Sequence, residues 1–596
     1  MSGGTPEPNV EGSAAPELAL SADNIAAESV RIEEDRRSGS FESPGRSVIG
    51  SAIVVSGATF VSRITGLARD VMLAALFGFS REMDAFFLAF TVPNLFRKLF
   101  GEGALSSATI PVLTRYRLKG DLAATRTFLG TLATVLTFGL GAITLIVVGL
   151  TYVMDPAWFE DPGKFLLFRK YLAVLLPYVV FICLAALQTG TLNCWSRFGV
   201  PALVPALANI GWIVVLVLIW LTPLLADTER AVMIMALGVL ATGVMQWAVQ
   251  LPSLGKLKLL ARPRLALSEP GVRDTFKAMA PMLFALAVFQ VNTFLDQVLA
   301  ELLIEGNGAV SSYSYASRLF QFPLGLVGVA LGTAMFPLMS RFAADNQLEK
   351  LTASLLNSAR LIAFIAFPAA AGLAALAYPI THLLFGGPNS DAEMLRRSAL
   401  VVAVLCISLP IVSVISLLTK AFYALRDHKT PTRIALLSVV VNVVANVILL
   451  QTSLLEAGLA LGTAISGAVN LVLLVWMLKR RLRGTILESM RAAAIPQASE
   501  RLAQPFTPSA LRSFPVSLVR SLLLALLMGA AAFAVQAALY GEFGLTGRAS
   551  RVLSVFAAVA AGVVVYAGLS LVIKAPEVTQ ILSLRKRRAT TPPAAS

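Results

Sequence analysis

From about Val48 onward the chain alternates long apolar runs with short polar turns. Ala123 to Met154, Tyr171 to Trp195, Pro201 to Leu225 and Ser521 to Tyr540 are four such runs. Each holds the ~20 mainly apolar residues that cross a hydrocarbon layer about 30 Å thick. The runs are continuously apolar and rich in Leu, Ala, Val and Gly, without the period-two alternation of a barrel wall, so they predict transmembrane helices. The pattern predicts fourteen spans between residues 48 and 574, the first two at 48–78 and 82–117 and the seventh and eighth at 275–304 and 309–341. Residues 1–46 are rich in Gly, Pro, Ser and Glu with no apolar periodicity, which predicts a disordered cytoplasmic tail rather than a cleaved signal peptide.

The spans repeat. Setting Pro111 on Pro337 superposes Ala104–Tyr116 on Ala330–Phe342 with five of thirteen residues identical. A second echo pairs Trp195-Ser196-Arg197 with the stretch Tyr423-Ala424-Leu425-Arg426, about 230 residues later. Each half is then a six-span unit. Six is even, so both units share one orientation, as in transporters whose halves are related by an axis along the membrane normal with the substrate between them. The expected division is an N-lobe at 47–254, a linker at 255–274, a C-lobe at 275–483, a linker at 484–514, two extra spans at 515–575 and a basic tail at 576–596.

Composition agrees with lipid as the solvent: 57% of residues are hydrophobic and 14% charged. The net charge of +15 would suit nucleic acid on a soluble protein. Here the basic residues gather in alternate connections, among them Arg115, Arg117 and Lys119, then Lys256, Lys258, Arg262 and Arg264, then Arg426, Lys429 and Arg433. The opposite loops are acidic or mixed, with Asp155, Glu160 and Asp161 and again Asp227 and Glu229. That asymmetry places the basic loops and both termini in the cytoplasm and removes nucleic acid as a partner. Cys183, Cys194 and Cys406 show no paired spacing and read as packing residues.

Charge at bilayer depth is the informative exception. Arg63 lies midway along the first span, and at about 100° per residue Arg63, Gly66 and Asp70 share a face, with Arg69 next to it. A central Arg or Asp costs ~2.5–3.5 kcal/mol even on the lenient insertion scale, so these side chains should face a bundle interior or a wet cavity. The second span holds Asp84, then Pro93-Asn94-Leu95-Phe96-Arg97-Lys98, then Gly101-Glu102-Gly103, which predicts a broken helix lining that cavity. Arg318 occupies a similar place on the eighth span. Arginines outnumbering carboxylates favour an anion, and planar guanidinium forks suit phosphate or pyrophosphate. The blander reading is that these charges pair among themselves, for example Arg63 with Asp70 or Asp84, and merely tie helices together. Asp296, Asn442, Asn446 and Thr463 are weaker candidates for a small-cation site, with interhelical hydrogen bonding as the alternative. No G-x-x-x-x-G-K-[ST] loop is present, and His382 and His428 have no metal-ligand neighbours, so an enzyme reading is poor.

Ser62-Arg63, Gly66-Leu67-Ala68-Arg69-Asp70, Asp84-Ala85-Phe86-Phe87, Pro93-Asn94-Leu95, Glu102-Gly103-Ala104 and Pro111 resemble the MurJ/MviN lipid II flippase family. The likeness continues through Leu192-Asn193, Tyr315-Ala316, Arg318-Leu319 and Phe322-Pro323, and covers about residues 48–575. It implies an all-α polytopic protein of MATE-like build, two six-helix lobes plus two C-terminal helices that form a groove for a polyprenyl tail. It implies a substrate, undecaprenyl-pyrophosphate bearing the peptidoglycan precursor, moved to the outer leaflet of the bacterial inner membrane by alternating access for cell-wall synthesis. It assigns substrate binding to Arg63, Arg69, Arg97 and Arg318, and the charged residues Asp70, Asp84, Lys98 and Glu102 are expected to gate or pair, Lys98 standing where relatives often have a second Arg. No cofactor is expected beyond a coupling monovalent cation at the Asp296 set. Lipid II, membrane lipids and cell-wall synthesis enzymes are the expected partners. The competing readings are an exporter of another polyprenyl-linked glycan or of drugs, and a non-transporting scaffold for cell-wall enzymes.

Overall fold

The computed structural model describes residues 44–158, 160–492, 508–543 and 547–578. Among these every regular element is helical. In chain order α1 is Pro44–Phe77; α2 runs as Arg81–Phe96, a π-helical turn Arg97–Ala104 and Leu105–Lys119; α3 is Leu122–Val153. Helix α4 has two parts, Pro162–Leu175 and Tyr178–Cys194; α5 is Gly199–Leu221; α6 is Thr228–Ala248 with a short extension Leu251–Lys256. The second set opens with α7, Pro270–Leu303, and with α8, which runs as Ala309–Leu324, a π-helical turn Gly325–Val329 and Ala330–Ala344. It continues through α9, Leu348–Ala375 and Ala377–Phe385, then α10, Ala392–Ala424, α11, Lys429–Leu450, and α12, Glu456–Ala492. Helices α13, Pro508–Phe543, and α14, Arg548–Val572, close the chain. Ten of these, α3 to α6 and α9 to α14, are long and apolar enough to cross a membrane. The other four, α1, α2, α7 and α8, carry Arg63, Arg69, Asp70, Asp84, Arg97, Asp296 and Arg318.

Helix starts follow ordinary capping chemistry. Asp121 accepts the backbone N–H of Ala124 at 2.8 Å, Asp161 that of Lys164 at 2.9 Å, Asp227 that of Arg230 at 3.1 Å and Glu269 that of Val272 at 3.0 Å. Several turns end on a left-handed residue, and these obey the repeat. Gly120 (φ 67) and Asn346 (φ 55) close the second helix of each set, 226 residues apart. Ser196 (φ 59) and Arg426 (φ 58) close the fourth, each followed by an N–H that reaches back at 2.9 Å, Arg197 to the Leu192 carbonyl and Asp427 to that of Phe422.

Packing repeats as well. Helix α1 lies on α5 as α7 lies on α11, α4 on α6 as α10 on α12, and α2 on α4 as α8 on α10. Helices α13 and α14 pack on each other and on α9, outside the repeat. Gly529 lets α13 approach α9 closely, since a Cβ there would stand 3.2 Å from the Ala371 carbonyl oxygen.

The expected break in the second span is corrected. Proline removes a donor and displaces the preceding turn, yet α2 passes Pro93 without interruption and the Arg97 N–H returns to the carbonyls of Pro93 and Asn94. The strain appears just downstream as the π turn. Its counterpart follows Pro323 in α8, and the two π turns overlap when the chain is shifted by the 226 residues of the repeat. The ninth span, expected as one run, is divided at Leu376, and the fourth at Pro177. Helix α12 extends past the expected lobe boundary at Arg483 to Ala492, and α13 begins earlier than expected, at Pro508.

A buried ion pair ties α10 to α12: Arg397 donates from Nε and Nη2 to Glu456 at 3.0 and 2.5 Å, with the carboxylate side chain only 1% exposed. Glu456→Ala should lower the apparent melting temperature in detergent, at a cost of about 3 kcal/mol or more, because the guanidinium stays behind without its carboxylate. Glu456→Gln, which keeps a hydrogen-bond acceptor, should fall in between.

Candidate functional site

Between the two sets of helices lies a cavity of about 1240 Å³. Four of its lining residues are arginines, Arg63 and Arg69 from α1, Arg97 from α2 and Arg318 from α8, and Asp70 is the one carboxylate among the described lining residues. The remaining polar lining belongs chiefly to one wall, with Asn94, Thr189, Asn209 and Gln246, whereas α9, α13 and α14 contribute an apolar arm through Phe364, Pro368, Gly372, Met528, Val563 and Ala567.

The four arginines are not equivalent. Arg69 is fully engaged: Nε and Nη2 donate to Asp70 Oδ1 at 2.9 and 2.7 Å, Nη1 donates to Asn209 Oδ1 at 2.9 Å, and its face lies 4.8 Å from the Trp212 ring. Asn209 in turn donates to the Ser62 carbonyl at 2.9 Å, so α5 holds both the backbone and the guanidinium of α1. Arg318, from the other set, approaches the second oxygen of Asp70 at 3.9 Å. Arg97 donates to Asn94 Oδ1 at 3.1 and 2.9 Å, one helical turn back. Arg63 is the most exposed to the cavity and lies 5.9 Å from the Phe322 ring. It reaches across to the π turn of α8, where a Cβ on Gly325 would stand 2.7 Å from its Nη2. A side chain at that position would displace the Arg63 guanidinium.

The other charged candidates lie elsewhere. Asp84 is fully buried at the end of the bundle opposite the basic turns, where Oδ2 accepts the Gly308 N–H at 2.7 Å and Oδ1 that of Ser311 at 2.8 Å, both at the start of α8. Lys98 is half-buried and is not among the residues lining the cavity. The side chain of Glu102 lies outside the described residues. The pairing of Arg63 with Asp70 or Asp84 does not form: Asp70 goes to Arg69 and Arg318, and Asp84 to Lys164 at 3.1 Å. The same end is closed further by Tyr315, which donates to the Gly78 carbonyl at 3.4 Å and packs among Phe79, Phe87 and Phe385, and by Asn389, which donates to the Leu76 carbonyl at 2.8 Å.

Asp296, Asn442 and Asn446 meet in the interior of the second set, all three buried. Asn446 Nδ2 donates to Asp296 Oδ1 at 2.7 Å and the Tyr313 hydroxyl donates to Oδ2 at 3.0 Å. Thr463 turns its hydroxyl to the Leu459 carbonyl at 3.0 Å. Asp296 has no cationic partner among the described residues, and Asn446 Oδ1 is buried without a hydrogen bond. Asn446 faces Asp296 with its Nδ2, while its orphaned Oδ1 abuts Gly462 of α12. No group of three or more His, Cys, Asp or Glu stands together among the described residues.

Trp212, Asn209 and Lys164 were not singled out by the sequence pattern. Nothing in an apolar run distinguishes a cavity-facing Asn or Trp from a lipid-facing one, and Lys164 follows a loop Asp-Pro-Gly that reads as solvent-exposed.

Residues 73–499 match the family described as lipid II flippase MurJ. The lipid II flippase MurJ of Burkholderia cenocepacia is 34% identical over 437 residues, 72% of this chain and 83% of that protein. A probable lipid II flippase MurJ from Vibrio cholerae is 34% identical over 445 residues, 72% of this chain and 82% of that one. Among solved structures, a lipid II flippase MurJ in an inward closed conformation superposes with a TM-score of 0.66 at 23% identity, covering 87% of this chain and 98% of that one. An inward-facing MATE family transporter superposes at 0.57 with 16% identity, over 73% and 99% of the two chains. At these identities the two superpositions establish the fold, which is MATE-like.

Arg69→Lys keeps the charge but cannot fork Asp70 and reach Asn209 at once. It should destabilise the protein by about 1–3 kcal/mol, read as a lower apparent melting temperature, whereas Arg63→Lys should leave that temperature unchanged.

Proposed function

The chain belongs to the lipid II flippase MurJ family, and from that premise we propose that its arginine-lined cavity is where lipid II crosses the membrane. The protein is a multi-pass inner-membrane transporter, and lipid II is its substrate. The observation that carries the site assignment is the charge of the cavity: four guanidinium groups against one carboxylate, opening into an apolar arm. A pyrophosphate needs several fixed donors to replace its water, and guanidinium forks supply them with geometry as well as charge. Arg63, Arg97 and Arg318 are the substrate ligands, while Arg69 acts through Asp70 and Asn209 to hold the first of these helices in place. The polyprenyl tail lies along α9, α13 and α14 and stays in lipid while the head group crosses.

The basic turns face the cytoplasm with both termini, by the positive-inside rule. The Asp84 end is then the outer end, and the shut outer end supports reading this conformation as one that receives substrate from the cytoplasmic leaflet. Helices α1–α6 and α7–α12 form the two lobes, which rock about the site, and no covalent step is needed. The empty cavity carries surplus positive charge, so its return responds to the membrane potential at ~2.3 kcal/mol per charge per 100 mV. A monovalent cation held by Asp296, Asn442 and Asn446 would supply the positive charge that the buried carboxylate lacks. Drug exporters need no such arginine set, and a scaffold needs no cavity.

The test is leaflet accessibility of lipid II in cells that depend on this protein. Depletion should trap lipid II on the inner leaflet. Arg63→Ala, Arg97→Ala and Arg318→Ala should each slow translocation by about tenfold or more, one charge-assisted contact being worth ~1.5–3 kcal/mol. Normal translocation in all three variants at normal protein levels would sink the assignment.

A further inference from the structure

The shut outer end contains an ammonium shared by both lobes. Lys164, in the first turn of α4, is buried, with Nζ 3.1 Å from Asp84 Oδ2 and 2.8 Å from Glu301 Oε2. Asp84 stands on α2 in the same lobe, and Glu301 on the last turn of α7 in the other. The neighbouring charges are already matched, Arg81 with Asp161. Glu301 has no second cationic partner among the described residues, and its side chain is 20% exposed.

Two carboxylates on one lysine in a low-dielectric site leave one negative charge uncompensated. The start of α8 supplies the remainder, because Asp84 also accepts the Gly308 and Ser311 N–H groups at the positive end of that helix. These four partners divide two and two between the lobes. Lys164 and Asp84 belong to the first, and Glu301 and the amides of α8 to the second. If the lobes part at this end, Asp84 loses its amide donors but keeps Lys164. Glu301 loses its ammonium, but its side chain is already 20% exposed, so parting of the lobes opens its buried Oε2 to water. No charge is stranded in either state.

We propose that Lys164 is a positioning residue of the outer gate, gripping Glu301 only when the gate is shut and falling back on Asp84 when it opens, so that Glu301 sets how far the resting equilibrium lies toward the shut state. This rests on the reading that the lobes alternate.

The experiment uses the full chain in intact cells, with its three cysteines replaced by Ala and a reporter cysteine at the cavity position Ala208→Cys, labelled from outside by an impermeant maleimide. Glu301→Gln should raise the labelling rate about fivefold or more, the lower end of ordinary coupling between two states. Glu301→Asp should give an intermediate rise, and Lys164→Arg should label at the parent rate. A well-expressed Glu301→Gln that labels at the parent rate overturns the proposal, as does Glu301→Asp at the parent rate should the Gln variant not accumulate. Lipid II translocation is measured in the same cells. If the parent fails to translocate while labelling responds as stated, the flippase reading falls and the gate stands. If the parent translocates and labelling ignores Glu301, the gate alone falls.

Discussion

A buried carboxylate that caps a helix belonging to the other lobe is the contact on which this architecture turns. Asp84 is fully buried and takes two backbone amides from the start of α8. Without those amides it would rest on Lys164 alone, so the closed seam is the arrangement that satisfies it fully and draws the two lobes together at this end. Meeting there, they leave the arginine-lined space as a cleft sealed at one side. Aromatic packing of Tyr315 among Phe79, Phe87 and Phe385 adds apolar area to the same seam. The polar contacts fix which surfaces meet, and the rings exclude water from them.

Inside the cleft a second carboxylate does different work. Asp70 uses one oxygen for Arg69 and offers the other to Arg318. One acid neutralises part of one arginine and steadies another, and the cleft keeps a surplus of positive charge. Arg69 is spent on its fork to Asp70, on Asn209 and on the Trp212 face. A count of basic residues therefore overstates the charge presented to a substrate, and the arrangement of partners decides which guanidinium groups remain available.

The helical fold, its repeat and its charged interior were legible because each rests on a local property: the length of an apolar run, a motif repeated at a constant offset, a charge where hydrocarbon forbids one. Arg63, Arg69, Asp70, Arg97 and Arg318 stood out for that last reason. Partnerships were not legible. Asp84 looked like a companion for Arg63, yet the chain turns it toward Lys164 and α8, since pairing across helices depends on rotation about each axis and no single span records its neighbour's phase. Asn209 illustrates the same limit, being one amide in an apolar run whose importance comes from facing α1. The break expected after Pro93 failed for another reason. A helix can absorb the loss of one donor by widening a turn, and residue type alone does not distinguish widening from rupture.

The widened turns also set how the halves of each helix face their neighbours. A π turn holds one residue more than the α turn it replaces, so rewinding Arg97–Ala104 as ordinary α-helix at constant chain length would rotate everything from Leu105 to Lys119 by about 100° against the half that bears Asp84. The faces now turned toward α4 and α7 would swing away together. Because the matching turn at Gly325–Val329 occupies the corresponding place in the second lobe, the two helices flanking the cleft are wound out of step in the same manner. Rewinding either one alone would unbalance that symmetry, so the width of these two short turns decides which faces of α2 and α8 their neighbours meet.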